Sequence, residues 1–125
     1  LKISIKQGEI WLINLDPTIG AEIKKTRPSI IVNDNSLGKL PLKIIVPITD
    51  WWKDRYEIAP WMIKIEPDNK NGLTKTSSAD CFQVRSVSQE RLVRKIGAIS
   101  EKLMDEIRIG LSKVLSIGKP STPVW

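Results

Sequence analysis

Five charged residues fall in one short segment, four of them within six positions. In Asp16–Pro28, DPTIGAEIKKTRP, the carboxylate of Glu22 sits close in sequence to Lys24, Lys25 and Arg27. Such a cation cluster can hold a phosphate, and arginine does so with two parallel hydrogen bonds from its planar fork. A carboxylate beside it can take a proton, or it can hold the arginine in place; the sequence leaves both roles open for Glu22. The plainer reading of the segment alone is a solvated charged loop. A second group is Thr49, a hydroxyl just after the apolar run Lys43–Ile48. A threonine at a strand end also serves simply to bond backbone. The third group is aromatic: Trp51, Trp52, Tyr56 and Trp61, with Lys53 and Arg55 interleaved. Unstacked bases lie on such rings while cations beside them hold the phosphates, and the same rings also pack in cores or at subunit contacts. On a strand, Trp51 and Trp52 face opposite sides.

The absences narrow the chemistry further. Among 125 residues there is no histidine and one cysteine, Cys81. The commonest general base is therefore missing, and a zinc site is close to excluded. No acidic cluster recommends an oxygen-ligated Mg²⁺ site. No metal or other cofactor is expected, and any catalysis must use carboxylates, hydroxyls, Lys, Arg or Tyr. Cys81 has no intrachain disulfide partner and fits a reducing compartment. The chain begins at Leu1 without a secretory pattern, and no run approaches the roughly 20 apolar residues of a membrane span. A cytoplasmic protein without a membrane segment is expected.

Twenty basic residues face 14 acidic ones, a formal charge of +6, with a pI near 9.6. An anionic partner suits that balance. The excess is +2 over residues 1–30 and +3 over 71–98, while 31–70 balance and 99–125 add +1. Two separated segments thus carry most of it, and they make one basic surface if the fold joins them.

The elements that must position these residues read as one domain over 1–125, with a core over 6–117 and a loose tail at 118–125. Short β-type runs dominate: Glu9–Leu15, Pro28–Val32, Lys43–Ile48, Trp61–Glu66, Cys81–Val87 and Leu92–Ile99. About six strands joined by loops rather than crossover helices predict a mainly antiparallel sheet or small barrel. Pro47 predicts an edge or bulge. Beyond them, Ser100 can cap a helix whose Leu103, Met104, Ile107, Leu111, Val114 and Leu115 recur at helical spacing, with Gly118 and Pro120 to end it. That stripe is expected to pack on the sheet.

Three ordered motifs carry a resemblance over roughly Lys6 to Ile117. They are GEIWLINLDPTIGAEIKKTRPSIIVND (Gly8–Asp34), IIVPIT (Ile44–Thr49) and GLTKTSSADCFQVRSVSQERLVRKIGAIS (Gly72–Ser100). In these the chain resembles the MazF/PemK toxin endoribonucleases of toxin–antitoxin pairs. The resemblance implies an SH3-like β-barrel with a C-terminal helix, a homodimer, metal-independent cleavage of single-stranded RNA, and a cognate antitoxin partner. It also implies catalytic candidates: Arg27 of the R-P step, Thr49 of the P-I-T motif, and Glu22 of the G-x-E string. Lys24, Lys25, Thr26, Trp51, Ser77, Gln83 and Arg85 are the expected substrate-binding residues, with Ser77, Gln83 and Arg85 shaping the floor of the groove. Thr26 stands where some relatives carry His, and Phe82 where some carry Asp. The ribose 2′-hydroxyl is RNA's own nucleophile, so alignment supplies much of the acceleration. A fixed guanidinium beside the phosphoryl oxygens stabilises the charge that develops there. Two other readings stay open: a binding module that has lost cleavage, and a gyrase-poisoning toxin on a related barrel.

Overall fold

Along β1 (Glu9–Asn14) successive side chains enter two different cores. Ile10 joins one buried cluster, while Trp11 and Ile13 join another with Leu15 just beyond the strand. The same period of two splits β2 (Thr26–Ile31), whose Ile30 and Ile31 go to opposite clusters, and β3 (Leu42–Asp50), where Val46 and Ile48 part from Ile45. The centre of the sheet is thereby buried on both faces. The computed structural model describes residues 4–53 and 59–119.

The remaining strands are β4 (Met62–Ile65), β5 (Ser77–Asp80), β6 (Arg85–Ser88) and β7 (Leu92–Ala98). All ladders are antiparallel, in the order β4-β5-β3-β2-β1-β7, with β6 also on β3. Strand β3 serves two partners: Leu42–Ile45 pairs with β6 and Ile48–Asp50 with β5. Pro47 lies between these stretches, opposite Ser29 of β2. A residue without an N–H fits where the outer partner changes, so this proline marks a switch inside a central strand rather than an edge.

Among the described residues no ladder joins β7 to β4, and the barrel is left open there. Segment 66–76 spans the gap, with Ala98 N donating to Lys70 O at 2.9 Å. Two glycines permit the approach. Gly72 has φ +71°, and a Cβ on it would lie 2.2 Å from Ile96 O; one on Gly97 would lie 2.4 Å from the carbonyl carbon of Asn71.

The helix α1 (Glu101–Leu115) starts at Ser100, whose hydroxyl accepts from Leu103 N at 3.2 Å. Met104 and Ile107 are buried in the first cluster, with Leu103, Leu111 and Val114 packed against it, so the apolar stripe sits on the sheet. Leu115 is exposed instead, and the helix closes at Ser116 (φ 56°), before Gly118. No helix of the described residues is long and apolar enough to cross a membrane.

The single strand expected over Cys81–Val87 is corrected. Cys81–Gln83 is a 3₁₀ turn capped by the Asp80 carboxylate, which accepts from Phe82 N at 3.1 Å. It separates β6 from β5, a seventh strand. The tail reading at 118–125 lies outside the described residues from 120 on, as do Arg55 and Tyr56.

Candidate active site

The β1–β2 loop is built to a fixed shape. Asp16 N donates to Asn14 Oδ1, Thr18 Oγ1 donates to Asp16 Oδ1, and Ile19 N donates to Glu22 Oε1 at 2.6 Å. The loop is then fastened from the third motif. Gln83 Oε1 accepts from Ile23 N at 2.6 Å, and its amide donates to Ala21 O at 3.4 Å and to Asp80 Oδ2 at 3.3 Å. Arg85 donates to Leu15 O at 3.2 Å, and Arg91 donates to the carbonyls of Asn14 and Asp16. The first and third motifs are thus joined by side chains that clamp backbone. Burial raises the Asp80 carboxyl above its usual range, against the Phe82 and Gln83 hydrogen bonds that lower it.

Where the loop re-enters the sheet, Lys25 adopts φ 70°, uncommon for a residue with a side chain, while its carbonyl accepts from Leu15 N at 3.0 Å. Thr26 and Arg27 follow on β2. The β2–β3 register pairs Ser29 with Pro47; continued by two residues it sets Arg27 opposite Thr49. Both residues line one cleft of about 470 Å³, walled by Lys25–Pro28, Ile48–Asp50, the 72–75 loop, Ser77 and Ile96. Three cations (Lys25, Arg27 and Lys75) and one carboxylate (Asp50) line it. The Arg27 Nε donates to Lys24 O at 3.2 Å. Its two terminal amino groups have no protein partner among the described residues, and neither does the Thr49 hydroxyl. A half-buried guanidinium with a free fork and an unengaged hydroxyl suit a phosphate.

Of the expected site residues, Arg27, Thr49, Lys25, Thr26 and Ser77 meet in this cleft. Lys24 is exposed beside it. The Ser77 hydroxyl donates to Lys75 O at 2.9 Å and so shapes the wall. Glu22, Gln83 and Arg85 line a neighbouring cleft of about 380 Å³ with Pro47 and Phe82. No ion pair joins Glu22 to Arg27 among the described residues, so the tether role is not what the structure shows. Phe82 is 65% exposed, with its ring edge-on to Trp61 at 5.9 Å. Trp51 and Trp52 follow β3 rather than lie on it; Trp51 is half-buried with Lys64 Nζ 5.4 Å from its ring centre, and Trp52 is exposed.

Sequence reading missed Asp50 and Lys75. They lie far apart in the chain and become neighbours only through the β3–β5 ladder, with Lys75 Nζ 2.8 Å from Asp50 Oδ1. The second basic segment also reaches this side. Pro28 and Arg94 both stand opposite Leu12 on β1, and directly paired residues share a face. Arg94 therefore lies on the face of Pro28 about 10 Å away, two strand spacings. No group of three or more metal-ligating side chains occurs among the described residues.

The family model for "PemK-like, MazF-like toxin of type II toxin-antitoxin system" matches residues 6–115. Endoribonuclease PemK of Escherichia coli is 29% identical over 117 residues, covering 92% of this chain and 85% of that protein. Endoribonuclease MazF of Staphylococcus epidermidis is 32% identical over 104 residues, covering 82% and 84%. Among solved structures, MazF from Deinococcus radiodurans (Form-I) superposes with a TM-score of 0.76 at 19% identity, covering 93% of this chain and all of that one. A mycobacterial endoribonuclease in complex with its cognate antitoxin superposes at 0.72 and 16% identity, covering 93% and 99%. With the matched motifs bringing Arg27 and Thr49 into one cationic cleft, the chain belongs to the PemK-like, MazF-like toxin family of type II toxin–antitoxin systems.

Proposed function

We propose that this protein is an endoribonuclease toxin of a toxin–antitoxin pair that cuts single-stranded RNA without a metal. The observation that carries the reading is the convergence of Arg27 and Thr49, from two separate motifs, on a cleft with a cationic lining. The relatives' shared name supplies the reaction class. Arg27 forks onto the phosphoryl oxygens, and Thr49 donates to the same phosphate. Lys25 and Thr26 line the path of the backbone, and Lys24 adds charge at its rim. Glu22, in the neighbouring cleft, and Trp51, beyond the end of β3, contact flanking nucleotides; Gln83, Arg85 and Ser77 hold the walls. The products are a 2′,3′-cyclic phosphate and a 5′-hydroxyl, because the 2′-oxygen is the nucleophile. The working form is a cytoplasmic homodimer of one-domain chains, neutralised by an antitoxin laid over the cationic cleft; the solved mycobacterial endoribonuclease is itself in complex with a cognate antitoxin.

The test is cleavage of a mixed RNA pool in the presence of chelator, with both ends of each product sequenced. Cuts at a short recurrent sequence, with cyclic-phosphate ends, are expected. RNA that is bound but left intact would instead make the chain a binding module. Activity that vanishes with chelator and returns with Mg²⁺ would overturn the metal-free mechanism.

A further inference from the structure

The cleft that holds Arg27 and Thr49 has a single carboxylate among its described lining residues, Asp50. Its Oδ1 lies 2.8 Å from Lys75 Nζ, on side chains 52% and 67% exposed. An exposed pair of this kind adds little to folding, yet this one is held in register at both ends. Asp50 pairs with Ser77 across the β3–β5 ladder. The Ser77 hydroxyl bonds the carbonyl of Lys75 itself.

We propose that Asp50 and Lys75 are the general base and general acid of RNA cleavage in this chain. The proposal rests on the endoribonuclease reading above. Few other groups of this chain can do the work. The chain has no histidine. Glu22 faces the neighbouring cleft and receives Ile19 N. Lys25, Arg27 and Lys75 are the cations that line the cleft with Asp50. A guanidinium does not give up its proton, so the donor is a lysine. Lys75 is the lysine in contact with the base.

The step balances without any further reactant. Asp50 takes the proton of the ribose 2′-hydroxyl. The 2′-oxygen forms its bond to phosphorus as the bond from phosphorus to the 5′-oxygen breaks, and the departing 5′-oxygen takes a proton from the Lys75 ammonium. A neutral carboxylic acid and a neutral amine are then left in hydrogen-bond contact. One proton transfer from Asp50 to Lys75 restores both.

The experiment is single-turnover cleavage of a short single-stranded RNA across pH, with wild type, Asp50→Asn, Lys75→Ala and Glu22→Gln. Binding of the 2′-deoxy analogue is measured alongside. A second substrate carries sulfur in place of the bridging 5′-oxygen, so that its leaving group needs no proton. Asp50→Asn should lose about 10²- to 10⁴-fold in rate, together with the acid limb of the profile, while binding the analogue at least as tightly. Lys75→Ala should be slowed on the oxygen substrate and recover to within about tenfold of wild type on the sulfur substrate, by the same measure of proton-transfer catalysis. Glu22→Gln should keep the acid limb. An acid limb retained in Asp50→Asn, or equal slowing of Lys75→Ala on both substrates, would overturn the assignment. Wild type that cuts no RNA at all would instead bring down the endoribonuclease reading beneath it.

Discussion

Arg27 has one nitrogen committed to the carbonyl of Lys24 and a free fork directed at whatever the cleft holds. On the proposed reading, that hydrogen bond helps to hold the side chain in place before substrate arrives, so less ordering is left for the transition state. Arg27→Ala should therefore lower the single-turnover rate by about 10²-fold or more, the cost of losing a comparable fixed donor. Arg27→Lys should recover little, since a point charge can neither fork onto two oxygens nor keep the Lys24 bond. Near-wild-type cleavage by the lysine variant would reduce Arg27 to a general positive charge. At this scale the sequence shows Arg27 and Thr49, because each sits in a short motif with a strong local signature. Asp50 and Lys75 are not legible there: an acid after a threonine and a lysine among threonines are ordinary surface residues until a ladder pairs them. Glu22 shows the opposite failure. Its closeness to Arg27 along the chain did not become contact, because its carboxylate closes a turn within the loop.

Elements were legible where their patterns were strong and illegible where tertiary pairing dictated them. The β-branched runs of β1, β2 and β3 and the capped, striped α1 stand out. Strand β5 reads SSAD and has no strand propensity of its own; it is a strand because β3 and β4 flank it. The joint between segment 66–76 and β7 is equally invisible in sequence, yet it sets the wall that carries Lys75. On Gly97→Ala the new methyl would meet the backbone of Asn71 and Lys70 at 2.4–2.5 Å. Backbone cannot yield as a flexible side chain does, so a loss of about 3 kcal/mol is expected, read by urea unfolding. The loop is displaced with it, and cleavage should fall in step. A second clasp joins β1 to β7. Burial pushes the Glu9 carboxyl up, but the Lys6 N–H, the Lys95 ammonium and the Trp11 indole outweigh it and hold the group below its usual range. A lowered value means stability present above the ordinary carboxylate range and lost as pH falls through the folded value. Glu9→Gln should cost about 1–3 kcal/mol at neutral pH, and the gap to wild type should narrow below about pH 4. A gap independent of pH would assign the clasp to packing alone.

Across the whole molecule, the two basic segments that the sequence left apart come to one side. Lys25, Arg27 and Lys75 line the cleft, and Arg94 lies on the face of Pro28 two strands over. Arg85 and Arg91 spend hydrogen bonds on backbone carbonyls of the first loop, so not every cation of the excess is directed to a ligand. The surface also carries apolar side chains: Leu42 and Ile44 of β3 are exposed beyond the buried Val46 and Ile48 of the same strand, and Leu37 and Leu40 just before it are exposed too. A domain with such a row gains by association, and a two-fold pairing would double the formal charge of +6 to +12 while placing two clefts in one assembly. Binding of a single-stranded, 2′-deoxy RNA analogue should then weaken steeply with salt as counterions are released. Each cation that meets a phosphate adds about 0.7 to the slope of log affinity against log salt for a single strand. The double substitution Lys24→Ala and Lys25→Ala should flatten the slope by up to about 1.4, with Arg94→Gln removing a further 0.7 or so if the strand runs across β1. Alanine at position 25 inherits the φ of 70° and adds no strain that lysine does not already carry, so the unfolding midpoint should hold. Leu42→Lys with Ile44→Lys should turn a sedimenting dimer into a monomer. An unchanged slope in the lysine double mutant, or a wild-type monomer at micromolar concentration, would separate the basic face from RNA binding or the apolar row from assembly.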